Sequence, residues 1–182
     1  MKPGARVLGI DDSPFTKEDE RVLVVGVVWR EGAVEGVLST HVARDGLDST
    51  EKLERMVGSS KFLPQIRLIV MHGVTLAGFN IVNIRKLSEE LSVPVIGVTR
   101  KRPCTAAVGK ALRNFPDCGE RLELIRSAGP VVRIGTIHAQ LAGIGADEAR
   151  KFLSSFEGIP EPVRLAHIIG SGVVRGESHG KV

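Results

Sequence analysis

Five short apolar runs, in a fixed order and separated by charged or glycine-containing turns, limit what this chain can fold into. Residues 7–10, 22–29 and 34–42 are three runs in close succession, the second of them valine-rich, parted by a charged stretch at 16–21 and by Glu31-Gly32. Runs rich in β-branched residues and bounded by turn signals predict strands, and their close spacing predicts an antiparallel meander. Residues 66–71 and 93–98 are two more apolar runs, and between them Ile84, Leu87 and Leu91 form a helical stripe. Strand, helix, strand at this spacing predicts a parallel crossover.

Three antiparallel strands followed by helices alternating with parallel strands is the order of an α/β, ribonuclease-H-like mixed sheet with helices on both faces. Periodicity alone does not separate it from other mixed α/β sheets. Asp48-Ser49-Thr50-Glu51 predicts a capping box opening a short helix with Leu53, Met56 and Val57 on its apolar side and Gly58 at its end. Asn80 is expected to cap the crossover helix. Further helices are predicted near 105–113, 119–127 and 146–156, with a short strand at 131–134. The last helix is expected to start at Pro160-Glu161-Pro162 and to carry Val163, Ala166, His167 and Ile169, before a polar tail from 176.

The 182 residues, 42% of them hydrophobic, suit one domain over 1–182. A net charge of +4 permits a polyanionic partner without demanding one. With no Tyr, one Trp and six Phe, an aromatic platform for stacking single-stranded bases is not expected, so any nucleic-acid contact would rest on charge and shape. The first residues lack the uncharged core of a secretion signal, and no apolar stretch is long enough to span a bilayer. Cys104 and Cys118 have no zinc-site spacing and are expected to be free thiols, which makes a reducing cytoplasm the default location.

The chemistry-bearing residues gather at predicted strand ends. Asp11 and Asp12 end the first run, and because neighbouring strand side chains alternate, only one of them can face a given cleft. Asp12-Ser13-Pro14 is also an ordinary turn sequence, as is Asp45 before Gly46, while Asp48 can serve as a helix cap. His72 stands before Gly73 at the end of the fourth run. Arg100-Lys101-Arg102 can contact phosphate, although solvated loops have the same composition. His41 and His138 are expected to be structural or surface residues, and His179 lies in the tail.

Four motifs in this order resemble endonuclease V: Gly9-Ile10-Asp11, His72-Gly73, the stretch from Pro94 to Lys101, and Pro160-Glu161-Pro162-Val163-Arg164-Leu165-Ala166-His167. With Asp45-Gly46-Leu47-Asp48, Gly73-Val74-Thr75 and Gly78-Phe79-Asn80, the chain is more similar still to that family's archaeal relatives, also labelled endonuclease dU. The resemblance implies a divalent-metal-dependent endonuclease, using Mg2+ or Mn2+, that cleaves nucleic acid, expected to be DNA, near deoxyuridine or deoxyinosine. It places Asp11 at the first catalytic aspartate. The second acid has no direct counterpart, Asp45 and Asp48 being nearest, and the third is replaced by His72.

On that resemblance Asp11, Asp45 and Asp48 would hold metal, with Asp12, His72 and Arg100 completing the catalytic set. Arg100 takes the place of a lysine. Lys101 and His167 would touch substrate, and Gly73, Thr75, Gly78, Phe79 and Asn80 would leave room for an extruded base. Imidazole is a poor magnesium ligand, because hard cations prefer oxygen, so a different metal, compensation by Asp12, or loss of activity all stay open. The alternatives are a non-catalytic nucleic-acid-binding or regulatory domain and a small-molecule site at the same strand ends. The oligomeric state is not readable from the sequence.

Overall fold

The computed structural model describes residues 4–178. Its elements in chain order are β1 (Arg6–Asp12), β2 (Arg21–Arg30), β3 (Ala33–Ala43), α1 (Ser49–Gly58), β4 (Ile66–His72), β5 (Thr75–Leu76), β6 (Asn80–Ile81), α2 (Ile84–Leu91) and β7 (Val95–Thr99). These are followed by α3 (Thr105–Leu112), α4 (Cys118–Ser127), β8 (Val132–Ile134), β9 (Ile137–Ala142), α5 (Ala146–Leu153) and α6 (Glu161–Arg175). Among the described residues, seven strands form one mixed sheet in the order β3-β2-β1-β4-β7-β9-β8.

The meander forms as its pattern predicts, with β1 antiparallel to β2 and β2 antiparallel to β3. The crossover makes β4 parallel to both β1 and β7. Beyond β7 the sheet turns antiparallel again through β9 and β8. The sequence pattern gives no strand at 137–142, because His138 and Gln140 interrupt the apolar run. Gln140 is nonetheless buried, and its side-chain amide donates to the Gly129 carbonyl.

Strand alternation divides the core in two. Leu8, Ile10, Ile69 and Met71 face one layer with Leu53 of α1 and Ile84 and Leu87 of α2. Val7, Leu68, Val70, Ile96 and Val98 face the other, with Phe152 of α5 and Val163 of α6. Burial of such side chains, about 1.5–3 kcal/mol each, holds helices to both faces of the sheet. Alternation therefore sends Asp11 toward α6 and Asp12 toward the α1–α2 side.

Close approach is decisive at Gly9. A Cβ there would lie 2.2 Å from the Pro162 carbonyl carbon and 2.5 Å from the Val163 nitrogen, so only glycine lets the first turn of α6 rest on β1. This seating fixes the distance between β1 and the rest of α6.

Two expected caps form differently. Asp48 precedes α1, but its side chain makes no capping bond to the helix. Its Oδ1 instead accepts from the Ala43 backbone and from the Asn80 amide. Asn80 does not cap α2. It lies in β6, and Asn83 caps that helix by accepting from the Lys86 nitrogen. The last predicted tail residues, including His179, lie outside the described residues.

Candidate functional site

The register of the parallel pair sets the site. Ile10 pairs with Met71, which brings Asp11 beside His72 on the face covered by α6. His167 arrives one helical turn after Val163, a residue buried against that same face. The result is a carboxylate between two imidazoles: Asp11 Oδ2 lies 3.1 Å from His167 Nδ1, and Oδ1 lies 3.5 Å from His72 Nδ1. Oδ1 also accepts the Asp12 backbone N–H at 3.0 Å. The Asp11 side chain is 1% exposed, while His72 and His167 keep 37% and 25% of theirs open.

Burial alone would raise the Asp11 carboxyl, but the hydrogen bonds from His167 and His72 outweigh it and hold Asp11 below its ordinary range. Asp11 in return raises both imidazoles, through the hydrogen bond first and then through its charge. Asp12 moves the other way, to about 6, because it is desolvated and stands beside the Asp11 charge, with only partial relief from the Ala77 N–H. Its Oδ2 accepts that N–H at 2.7 Å.

The other expected acids are tied into a neighbouring loop assembly. Asp45 sits at φ 53° and accepts from the Phe79 N–H at 2.9 Å and from Arg44 at 3.0 Å. Gly78 is required by this contact, since a Cβ there would fall 2.3 Å from Asp45 Oδ1. Asn80, fully buried, donates to the Ala43 carbonyl and to Asp48 and accepts from the Ser49 N–H. Thus Gly78, Phe79 and Asn80 brace the β3–α1 loop, and the two N–H groups at Ala77 and Phe79 are already bonded. Thr75 and Leu76 pair with Ile81 and Asn80, so the glycine-rich stretch after Gly73 is a small hairpin.

Arg121 was not apparent from the sequence. It is 4% exposed, although it belongs to the charged helix α4. Its guanidinium donates to the carbonyls of Asp45, Gly46 and Phe79 and to the Asp117 carboxylate. The four-residue spacing to Asp117 signals an ion pair on one helix face. Nothing local signals that the same group gathers two distant loops.

Arg100 is exposed just beyond β7. With Thr136, Ile137, Glu157 and Arg164 it lines a cleft of about 350 Å³. Arg164 precedes His167 by one turn and pairs with Glu161. Lys101 is also exposed, and its carbonyl accepts from the Thr99 hydroxyl. Cys104 and Cys118 are both free. Among the described residues no helix is long and apolar enough to cross a membrane.

A family model described as endonuclease dU matches residues 3–174. The chain belongs to the endonuclease dU family. A UPF0215 protein of Methanopyrus kandleri is 46% identical over 188 residues, covering 98% of this chain and 95% of its own. A solved structure of a protein of unknown function from Archaeoglobus fulgidus superposes with a TM-score of 0.89 at 40% identity, covering 94% of this chain and 99% of that one. Endonuclease V of Ciona intestinalis, in complex with DNA containing an inosine followed by a ribo-adenosine, gives a TM-score of 0.58 at 14% identity over 90% of this chain and 83% of that one. The endonuclease dU chain thus has the ribonuclease-H-like fold of endonuclease V.

The Mg2+ or Mn2+ implied by the sequence resemblance needs converging oxygen donors. Asp11 spends both oxygens on imidazoles and a backbone N–H, and one oxygen of Asp12 is bonded to Ala77. Both Asp45 oxygens are engaged, and Asp48 Oδ1 has two donors. Among the described residues no three His, Cys, Asp or Glu side chains are grouped to hold a metal ion. This donor set does not fit a hard divalent cation.

Proposed function

We propose that this member of the endonuclease dU family is an endonuclease that hydrolyses a phosphodiester beside a deaminated base, deoxyuridine or deoxyinosine, in DNA. The observation that carries the reading is the buried Asp11 carboxylate shared by His72 and His167 at the carboxyl ends of β1 and β4. Strand ends of this kind are where open α/β sheets bind ligands. The family match and the likeness to endonuclease V support the reaction class and the partner. The exposed guanidiniums of Arg100 and Arg164, at the adjoining cleft, are suited to the phosphate backbone.

Purified protein is expected to nick duplex or single-stranded oligonucleotides carrying one deoxyuridine or deoxyinosine, and to leave the unmodified sequence intact. Asp11→Ala removes the group that holds both imidazoles and is expected to abolish nicking. Undiminished nicking by that variant would refute its place in the reaction. A pure binding role, favoured by His72 at the third acidic position, instead predicts retention that falls steeply with salt and no turnover.

A further inference from the structure

The strongest local charge of the chain lies outside the Asp11 cluster. Residues 100–116 carry Arg100, Lys101, Arg102, Lys110 and Arg113 and no acid, while the rest of the chain holds 20 Lys and Arg against 21 Asp and Glu. The whole basic excess of the protein therefore lies in 17 consecutive residues. We propose that α3 and the loop leading into it are a phosphate-backbone clamp, which holds nucleic acid to one side of the Asp11 site without reading its bases. The inference rests on the endonuclease reading for its choice of partner.

The sheet brings this segment to the site. β7 pairs with β4 so that Val98 lies opposite His72, and Arg100 leaves the sheet directly after Thr99. Five residues, 100–104, then separate β7 from α3. An extended chain advances at most about 3.6 Å per residue, which keeps the start of α3 within about 20 Å of the end of β7.

The other end of the arm is anchored too. α3 packs on α4, and α4 is tied to the neighbouring loops because Arg121 donates to the carbonyls of Asp45, Gly46 and Phe79. Phe115, between the two helices, meets the Phe79 ring at 5.7 Å and lies 4.4 Å from the Arg121 guanidinium. Phe79 belongs to the hairpin turn whose Ala77 N–H bonds Asp12. The arm is thus fixed on the Asp12 side of the strand ends, whereas the cleft of Arg100 and Arg164 adjoins α6.

Its cations are open to a partner. All five are exposed, and among the described residues none is paired with a carboxylate, whereas seven arginines elsewhere are. Lys110 and Arg113, three residues apart, are neighbours on one side of the helix, while Leu112 is fully buried. α3 offers no aromatic or amide side chain to accompany them, so its contacts suit phosphate rather than base edges. Ala106 and Ala107 are exposed and small, where a helix lying in a bilayer surface presents bulky apolar residues. The charge and the open surface favour a nucleic-acid strand.

The test compares the triple variant Arg102→Ala/Lys110→Ala/Arg113→Ala with Lys61→Ala/Arg67→Ala/Lys151→Ala, which removes the same charge from exposed positions at the start of β4 and on α5. Fluorescence anisotropy of the full chain on an unmodified and a deoxyuridine duplex, over a range of salt, reads affinity without requiring cleavage. In the arm variant the dependence of log Kd on log salt should become shallower by about 2–3, and Kd at about 150 mM salt should rise more than about tenfold on both duplexes. The control should stay within about threefold of wild type. On cleavable DNA the arm variant should raise KM and leave kcat within about threefold, as expected when uniform binding is lost.

A wild-type salt dependence in the arm variant, or an equal loss in the control, overturns the inference and leaves the endonuclease reading standing. A loss confined to the deoxyuridine duplex also overturns it, because the arm would then read the lesion. Loss of binding to phosphatidylserine vesicles with unchanged DNA affinity assigns the arm to a membrane and overturns it as well. Arm-dependent DNA binding without turnover supports the clamp and overturns the endonuclease reading, and no DNA binding by the wild type overturns both.

Discussion

Gly9→Ala tests whether the seating of α6 on β1 builds the site. The added Cβ would meet the Pro162 carbonyl carbon at 2.2 Å, its oxygen at 2.4 Å and the Val163 nitrogen at 2.5 Å, where ordinary contact begins near 3.4 Å. These are backbone atoms and cannot rotate away, so the start of α6 must retreat by about 1 Å. Overpacking of this kind costs about 1–3 kcal/mol. For a chain of this length that lowers the melting temperature by about 2–12 °C, at 2–4 °C per kcal/mol. The same retreat stretches the 3.1 Å contact between His167 and Asp11 beyond hydrogen-bonding range. A misplacement of about 1 Å is worth on the order of 100-fold in turnover.

Gly172→Ala is the matched control, because it lies in the same helix with nothing within 4 Å of an added Cβ. It should stabilise by about 0.5–1 kcal/mol and leave the imidazole signals in place. Thermal unfolding measures the first effect, and the nitrogen-15 shifts of His167 measure the second. A Gly9→Ala protein melting within about 1 °C of wild type, with His167 unchanged, would refute the argument.

Two further predictions concern groups around the site. Asp12 is raised from 3.8 to about 6 on folding, so the folded state holds its proton more tightly, and stability is lost as pH rises through that window. Asp12→Asn, which keeps the acceptor for Ala77, should therefore gain stability over wild type at pH 8 but not at pH 4, as read by urea unfolding; an equal difference at both pH values would contradict the assignment. Arg121→Ala strips charged donors from three loop carbonyls and should cost about 3 kcal/mol, with faster amide exchange at residues 43–48 and 77–80. Unchanged exchange in those loops would show that Arg121 does not join them.

The strands and helices were legible because their signals are local. Valine-rich runs, the stripe of Ile84, Leu87 and Leu91, and Pro160-Glu161-Pro162 at a helix start each carry their own periodicity or cap chemistry. The two misread caps show where local rules stop. Asp48 and Asn80 have the right chemistry for helix starts, but a buried partner 32 residues away offers each a better hydrogen bond than the nearest helix end. β9 was missed for the same reason, since pairing with β7 and a bond to Gly129 make Gln140 acceptable inside the sheet.

The sequence by itself determined the order of elements and the presence of Asp11 and His72 at strand ends. Those are matters of residue type, alternation and strand spacing. Only the tertiary structure decided that Asp11 faces α6 while Asp12 faces away, that His167 closes on Asp11 from 156 residues further along the chain, and that Asp45 and Asp48 are bound into loops braced by Arg121. The reason is that a carboxylate's role depends on its partners. Ligand, cap and brace use the same atoms, and the parallel register with the close approach at Gly9 selects which donors each oxygen meets.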